Sequence, residues 1–260
     1  MGTNRKRVIG ILVAAGLLLF CMVGYLLLSR GNVYHGMRVR MLYHSDTLVT
    51  AGDLKDYISA NCPSVAGKLR RQVSLSKIGS RIRRWPYADT VRVTADMKGI
   101  VHVEVVQPKV LMHVINSKGQ SFYLARVGNA GRMLPYMPGH PVRVVVASGA
   151  IPDVCQPELV MEWQDTSVCY DLMRIAEHLE NHPFWKAQVS QVYVRGKGDY
   201  CLAPTVGNHL VELGDASQLN QKLDNLWYIY TQGFKVAGWQ RYATVRLQFG
   251  ERIPCEKRTF

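Results

Sequence analysis

The stretch TVRVTADMKGIVHVEVV, Thr90–Val106, decides how the first third of this chain folds. Apolar and polar residues alternate on both sides of Asp96-Met97-Lys98-Gly99. A polar, glycine-closed break between two alternating runs reads as a β-hairpin, with strands Thr90–Ala95 and Ile100–Val106. Working back, Leu75, Ile78, Ile82 and Trp85 recur at helical spacing and stop at Pro86. An earlier helix places Leu54, Tyr57 and Ile58 on one face, opens on the capping arrangement Thr50-Ala-Gly-Asp53 and ends at Asn61-Cys62-Pro63. Before it, Met37–Tyr43 (MRVRMLY) alternates as a strand. The order strand, helix, helix, strand, strand predicts a small α+β module, two helices on one face of three strands.

Downstream, Gln107-Pro108-Lys109 breaks the alternation and marks a domain boundary. Val110–Ile115, Ser121–Leu124 and Val142–Val146 read as strands separated by Gly, Asn and Pro turns. Thr166–Glu180 is an amphipathic helix with Val168, Leu172, Ile175 and Leu179 inward, closed by Pro183. Gln188–Val194 and Tyr200–Leu202 form a hairpin around Gly196-Lys197-Gly198, and His209–Leu213 is a further strand. Ala216–Gln232 supplies a second helix, with Leu219, Leu223, Leu226 and Tyr230 on one face. Tyr242–Phe249 is the last clear strand, Val245, Leu247 and Phe249 alternating with Thr244, Arg246 and Gln248.

Upstream, Val8–Leu28 is uncharged throughout, and the tail before it carries Arg5, Lys6 and Arg7 and no acid. At about 1.5 Å per residue a helix over this run reaches roughly 31 Å, enough to cross a hydrocarbon core. A cleaved signal peptide has a shorter apolar region and a small-x-small site. Here Leu27-Leu28-Ser29-Arg30-Gly31 offers none, and Phe20 stands before Cys21 where a lipoprotein signal needs a small residue. An uncleaved anchor with the basic tail inside and the bulk outside is the expectation. The expected organisation is therefore a cytoplasmic tail over 1–7, a transmembrane helix over 8–28 and a linker over 29–36. The α+β module then takes 37–108, a larger mixed β domain with two helices 109–254, and a C-terminal tail 255–260.

Formal charge is +13, unevenly spread. Arg30–Lys109 holds 14 Lys/Arg against 6 Asp/Glu, whereas Val110–Phe260 holds 15 against 13. So basic a segment outside a membrane points to anionic lipid or an acidic partner rather than to nucleic acid. Arg81-Ile-Arg83-Arg84-Trp85 has two readings. It is either a basic, membrane-proximal or phosphate-binding surface, or a helix end whose arginines cover exposed backbone carbonyls while Ile82 and Trp85 pack inward. Five cysteines follow the anchor, namely Cys62, Cys155, Cys169, Cys201 and Cys255. Buried thiols and a Cys155–Cys169 bridge both fit the spacing.

Chemistry is sparse. His178 and His182 stand four apart, but the segment reads His-Leu-Glu-Asn-His and Pro183 follows at once, so a solvated helix end outweighs a metal site. Neither a nucleophile elbow nor a phosphate-binding glycine loop is present, and His102 and His113 fall in strands. No cofactor and no catalytic group is expected, which favours a binding or scaffolding role.

WPYADTVRV (Trp85–Val93) and VHVEVVQPK (Val101–Lys109) are similar to the helix end and the exit of the first periplasmic domain in the bacterial cell-division family FtsQ/DivIB. Gly119–Leu124, Gly207–Gly214 and Tyr242–Phe249 resemble, in order, three strands of that family's second domain. Arg126 stands where the family often has Asp. The resemblance implies a POTRA-like first domain and a non-enzymatic divisome scaffold in the inner membrane, crossing it once and gathered at the septum. It implies periplasmic binding of FtsB/FtsL-type coiled-coil partners by strand addition near the C-terminus, with Tyr242, Arg246, Leu247 and Phe249 as contacts, and of other membrane division proteins through the POTRA-like domain. The competing implication of such a domain is outer-membrane protein assembly or secretion. Tandem copies or a following barrel usual there are missing from this sequence.

Overall fold

The computed structural model describes residues 16–24, 33–43, 47–157, 160–161, 167–250 and 252–258. Residues 16–24 are helical, with Leu17, Leu18, Leu19 and Phe20 exposed. The remainder of the expected anchor Val8–Leu28 lies outside the described residues, among which no helix is long and apolar enough to cross a membrane. The chain is mixed α+β and divides into two compact units, one holding up to Leu42 and Thr50–Val106, the other Tyr43–Val49 and Gln107 onward.

The first unit runs β1 (Gly36–Leu42), α1 (Ala51–Asn61), a short 3₁₀ turn (Arg70–Gln72), α2 (Leu75–Ile82), β2 (Thr90–Ala95) and β3 (Ile100–Val106). Thr50 caps α1 as expected: its hydroxyl accepts from Asp53 N–H, and the Asp53 carboxylate accepts from Thr50 N–H at 2.7 Å. Ser74 caps α2 through Lys77 N–H. The hairpin forms in the register Thr90↔Val106 to Ala95↔Val101, and β1 lies parallel to β3 on its other side. The sheet order is β1-β3-β2. Val101, Val103 and Val105 are fully buried, with Leu54, Ile58, Ile78 and Ile82 also buried in this unit. A one-residue slip of β3 would exchange the valines for His102 and Glu104, forfeiting about 1.5–3 kcal/mol of burial for each, which pins the register.

The second unit is built on a ten-stranded sheet, ordered β13-β12-β11-β10-β9-β7-β4-β5-β6-β8. Its first strands are β4 (Lys109–Ile115), β5 (Ser121–Val127), β6 (Ala130–Pro135), β7 (Val145–Gly149) and β8 (Val160–Met161). Helices α3 (Val168–Glu180) and α4 (Pro183–Gln188) lead to β9 (Val189–Gly196), β10 (Asp199–Pro204) and β11 (Leu210–Gly214). Then α5 (Leu219–Tyr228), a π-helical turn (Ile229–Gly233) and α6 (Phe234–Ala237) lead to β12 (Tyr242–Arg246) and β13 (Cys255–Lys257). Because β7 and β9 are parallel, and β11 and β12 are parallel, each pair needs a crossover, and the helices read from the sequence supply them. Their apolar faces, with Leu172, Ile175, Leu179, Leu223 and Leu226, bury against Val192, Val194, Leu202, Val211 and Val245 of the sheet.

Three expectations are corrected. Pro183 does not end the helical region; it opens α4 at a first-turn position, where its missing N–H costs nothing. Among the described residues the β domain carries four α-helical segments rather than two, the other addition being α6 beyond the π-helical turn. Residues 255–260 are not simply a tail, since Cys255–Lys257 pairs with β12 as the outermost strand of the sheet. Of the two cysteine readings the thiol one holds: Cys155 and Cys169 form no disulfide, and Cys169 and Cys201 are buried. Buried Gln107 closes the unit's entry, its Oε1 accepting from Leu48 N–H and Val49 N–H at 2.9 and 3.2 Å.

Candidate docking edge of the large sheet

The C-terminal side of the sheet is assembled by residues 238–258. Gly238, at φ +88°, ends α6 and turns the chain toward β12, which then runs parallel to β11 in the register Leu210↔Thr244 to Glu212↔Arg246. Leu247 N–H extends this pairing by donating to Glu212 O at 2.8 Å. The chain turns at 248–250 and returns as β13 along the other side of β12. Arg246 N–H donates to Pro254 O and Arg258 N–H to Arg241 O, both at 3.0 Å. Residues 254, 256 and 258 therefore bond toward β12, and antiparallel alternation aims the N–H and C=O groups of Cys255 and Lys257 away from it. At this end of the sheet no further described strand pairs with them. Arg258 Nη2 also bonds Asn208 O, fastening the strand's end to the loop before β11.

A charge ladder crosses the outer face of these strands. Arg195 on β9 meets Asp199 and Glu212, each at 2.9 Å. Arg246 meets Glu212 at 2.9 Å and Glu256 at 3.0 Å. The carboxylates of Asp199 and then Glu212 raise the Arg195 pKa further. Since these side chains are part-exposed, each pair contributes little to stability, within about 1 kcal/mol. Their joint effect is directional: Arg246 bridges β11 to β13 and holds the edge strand in place.

Beneath the edge lies an aromatic cluster. Phe234 stacks on Tyr242 at 5.2 Å with the ring planes 9° apart, and Trp239 packs on Tyr230 at 4.8 Å. The buried His209 Nε2 lies 2.7 Å from Tyr230 Oη, while His209 Nδ1 has no partner among the described residues. Burial, with the nearby Arg258 charge, lowers the His209 pKa to about 4, and burial raises that of Tyr230. Tyr228 and Val236 of the surrounding helical segments are exposed, at 69% and 89%.

The structure separates the four contact residues expected from the sequence. Phe249 is 56% exposed in the turn after β12, while Tyr242 and Arg246 are half-buried. Leu247 is 1% exposed and belongs to the core, so it offers a partner no surface. The expectation that Tyr242–Phe249 is itself the edge is corrected, because β12 is paired on both sides and β13 takes the edge. Sequence reasoning missed β13, whose three residues are too few for a period; Pro254 just ahead of them was the available signal. Arg81, Arg83 and Arg84 are exposed at and after the end of α2 in the first unit. Arg81 Nη1 donates to Asn61 O at 3.3 Å. His182 packs its ring near Trp185 and Trp227. Among the described residues no group of three or more His, Cys, Asp or Glu is placed to hold a metal.

The family model described as FtsQ/DivIB, C-terminal related, matches residues 109–256, from the first residue of β4 into β13. No curated protein matches the chain.

Proposed function

The chain belongs to the FtsQ/DivIB, C-terminal related family, which places it in bacterial cell division, and from that premise we propose that it is a non-enzymatic scaffold. In this reading Val8–Leu28 anchors it once in the inner membrane, the basic tail stays in the cytoplasm, and both folded units stand in the periplasm. The first unit acts as a POTRA domain meeting other membrane division proteins. The second binds bitopic coiled-coil partners of the FtsB/FtsL type.

One observation carries the docking part: the family-matched sheet ends in β13, whose outward main-chain groups at Cys255 and Lys257 have no strand beside them among the described residues. An extended partner segment completes that edge by strand addition, gaining main-chain hydrogen bonds, while neighbouring side chains select the partner. Of the residues named from the sequence, Phe249 is the direct contact. Arg246 and Tyr242 work from behind, Arg246 by holding Glu256 and Tyr242 by stacking on Phe234. A fluorescent fusion of the full chain tests the role. Accumulation at the septum is expected; uniform envelope labelling would instead favour a part in outer-membrane assembly.

A further inference from the structure

Resting on the anchor reading above, we propose that the β2–β3 turn end of the first unit docks on anionic lipid headgroups, with Met97 as its apolar tip. Three segments converge there. Val33 bridges to Leu69, Tyr34 N–H donates to Lys68 O at 2.9 Å, and Gly67 N–H donates to Tyr34 O at 2.8 Å. His35 N–H donates to Gly99 O at 2.8 Å. Gly99 has φ +79°, and a Cβ on it would meet Val33 O at 2.4 Å, so the turn and the entering chain touch backbone to backbone. Ser29–Asn32 alone separate Leu28 from Val33. At no more than about 3.6 Å per residue, this end of the unit lies within roughly 18 Å of the end of the apolar run.

Arg70 locks the turn. Its guanidinium sits 5.8 Å from the Tyr34 ring centroid, and Nη2 donates to Asp96 O at 2.8 Å and Met97 O at 3.1 Å. The tip is thereby presented outward: Met97 is 93% exposed, the most exposed of the large apolar side chains among the described residues. Lys68, Arg71 and Lys98 are exposed on two of these three segments. The turn's acid, Asp96, is engaged: its carboxylate accepts from Ile100 N–H at 2.8 Å and lies 3.1 Å from His102 Nε2. An isolated exposed methionine needs no explanation, but one on a turn that converges with exposed cations beside an anchor has the chemistry of an interfacial contact. The thioether enters the headgroup layer while the lysine and arginine stems lie along it with their charges at the phosphates. Arg81, Arg83 and Arg84 are not part of this surface. They lead instead toward Asp89, whose N–H bonds Val106 O at the opposite end of the strands.

The test is hydroxyl-radical footprinting of the full chain in detergent, in phosphatidylcholine vesicles and in vesicles of phosphatidylcholine with phosphatidylglycerol. Met97 is expected to be labelled strongly in detergent and protected in the anionic vesicles, with Tyr228 of the other unit as the unprotected control. Each of Lys68→Gln, Arg71→Gln and Lys98→Gln is expected to weaken that protection, by roughly fivefold in bound against unbound tip. Met97 labelled equally in anionic vesicles and detergent overturns the proposal, as does equal protection in pure phosphatidylcholine. Alkaline carbonate extraction of the same vesicles separates the two failures. A chain that washes off refutes the anchor, whereas an embedded chain with an unprotected Met97 refutes only the docking.

Discussion

Substituting proline at Lys257 tests the docking edge while leaving the fold's own bonds in place. The Lys257 N–H points away from β12, so Lys257→Pro removes a donor that pairs with no described strand. Proline is tolerated on an edge strand for that reason, and the change in unfolding free energy is expected to stay within about 0.5 kcal/mol. An added partner strand would lose the hydrogen bond from that N–H, worth about 0.5–1.5 kcal/mol, and the ring would push the adjacent bond out of reach. A loss of about 1–3 kcal/mol follows, roughly 5- to 150-fold in Kd. Glu256→Pro is the matched control, because its N–H faces β12 and its loss detaches β13 itself. The assay is titration of the full chain with an FtsB/FtsL-type partner in detergent, alongside a denaturation curve for each variant. A Lys257→Pro chain that is folded and binds within twofold of the parent would refute strand addition at this edge.

Phe249→Asp places a charge on an exposed turn side chain, so binding is expected to weaken about tenfold with the melting temperature little changed, read from the same titration. Gly149→Ala, at the end of β7, is expected to cost on the order of 3 kcal/mol in urea denaturation: φ is +109° and the new Cβ would meet Val194 O at 2.3 Å. His209 makes stability depend on pH. Its folded pKa of about 4 lies below an unfolded value near 6.5, so the unfolded chain binds the proton more readily. Its full contribution is present above about pH 6.5 and is lost as pH falls toward 4, up to about 3 kcal/mol. His209→Gln should therefore flatten the urea-midpoint profile between pH 7 and 4.5; an unchanged slope would remove His209 as its source.

Local chemistry was legible in the sequence, and pairing between distant segments was not. The Thr50/Asp53 box, the 96–99 turn and the valine alternation of β3 each state their structure within a few residues, and the structure forms them. Pro183 was ambiguous, because proline both ends one helix and starts another, and only packing behind α3 decides between them. β6 hides in Ala130–Pro135, where a glycine and a terminal proline mask a strand that its pairing with β5 stabilises. Whether β12 was interior or edge depended on β13, ten residues further on, and alternation in Tyr242–Phe249 is the same either way. The Arg195–Glu212–Arg246–Glu256 ladder joins side chains 10 to 34 residues apart on four strands, so no local spacing in the sequence announced it.

The most direct measurement of the central claim is amide hydrogen exchange of the full chain with and without an FtsB/FtsL-type partner. In the free protein the outward amides of Cys255 and Lys257 should exchange quickly, while Arg246 N–H, already bonded to Pro254 O, exchanges slowly. On partner binding, Cys255 and Lys257 are predicted to become protected together, with the amides of β8 at the far edge unchanged. A complex that forms while both amides keep exchanging at their free rates would contradict docking at this edge.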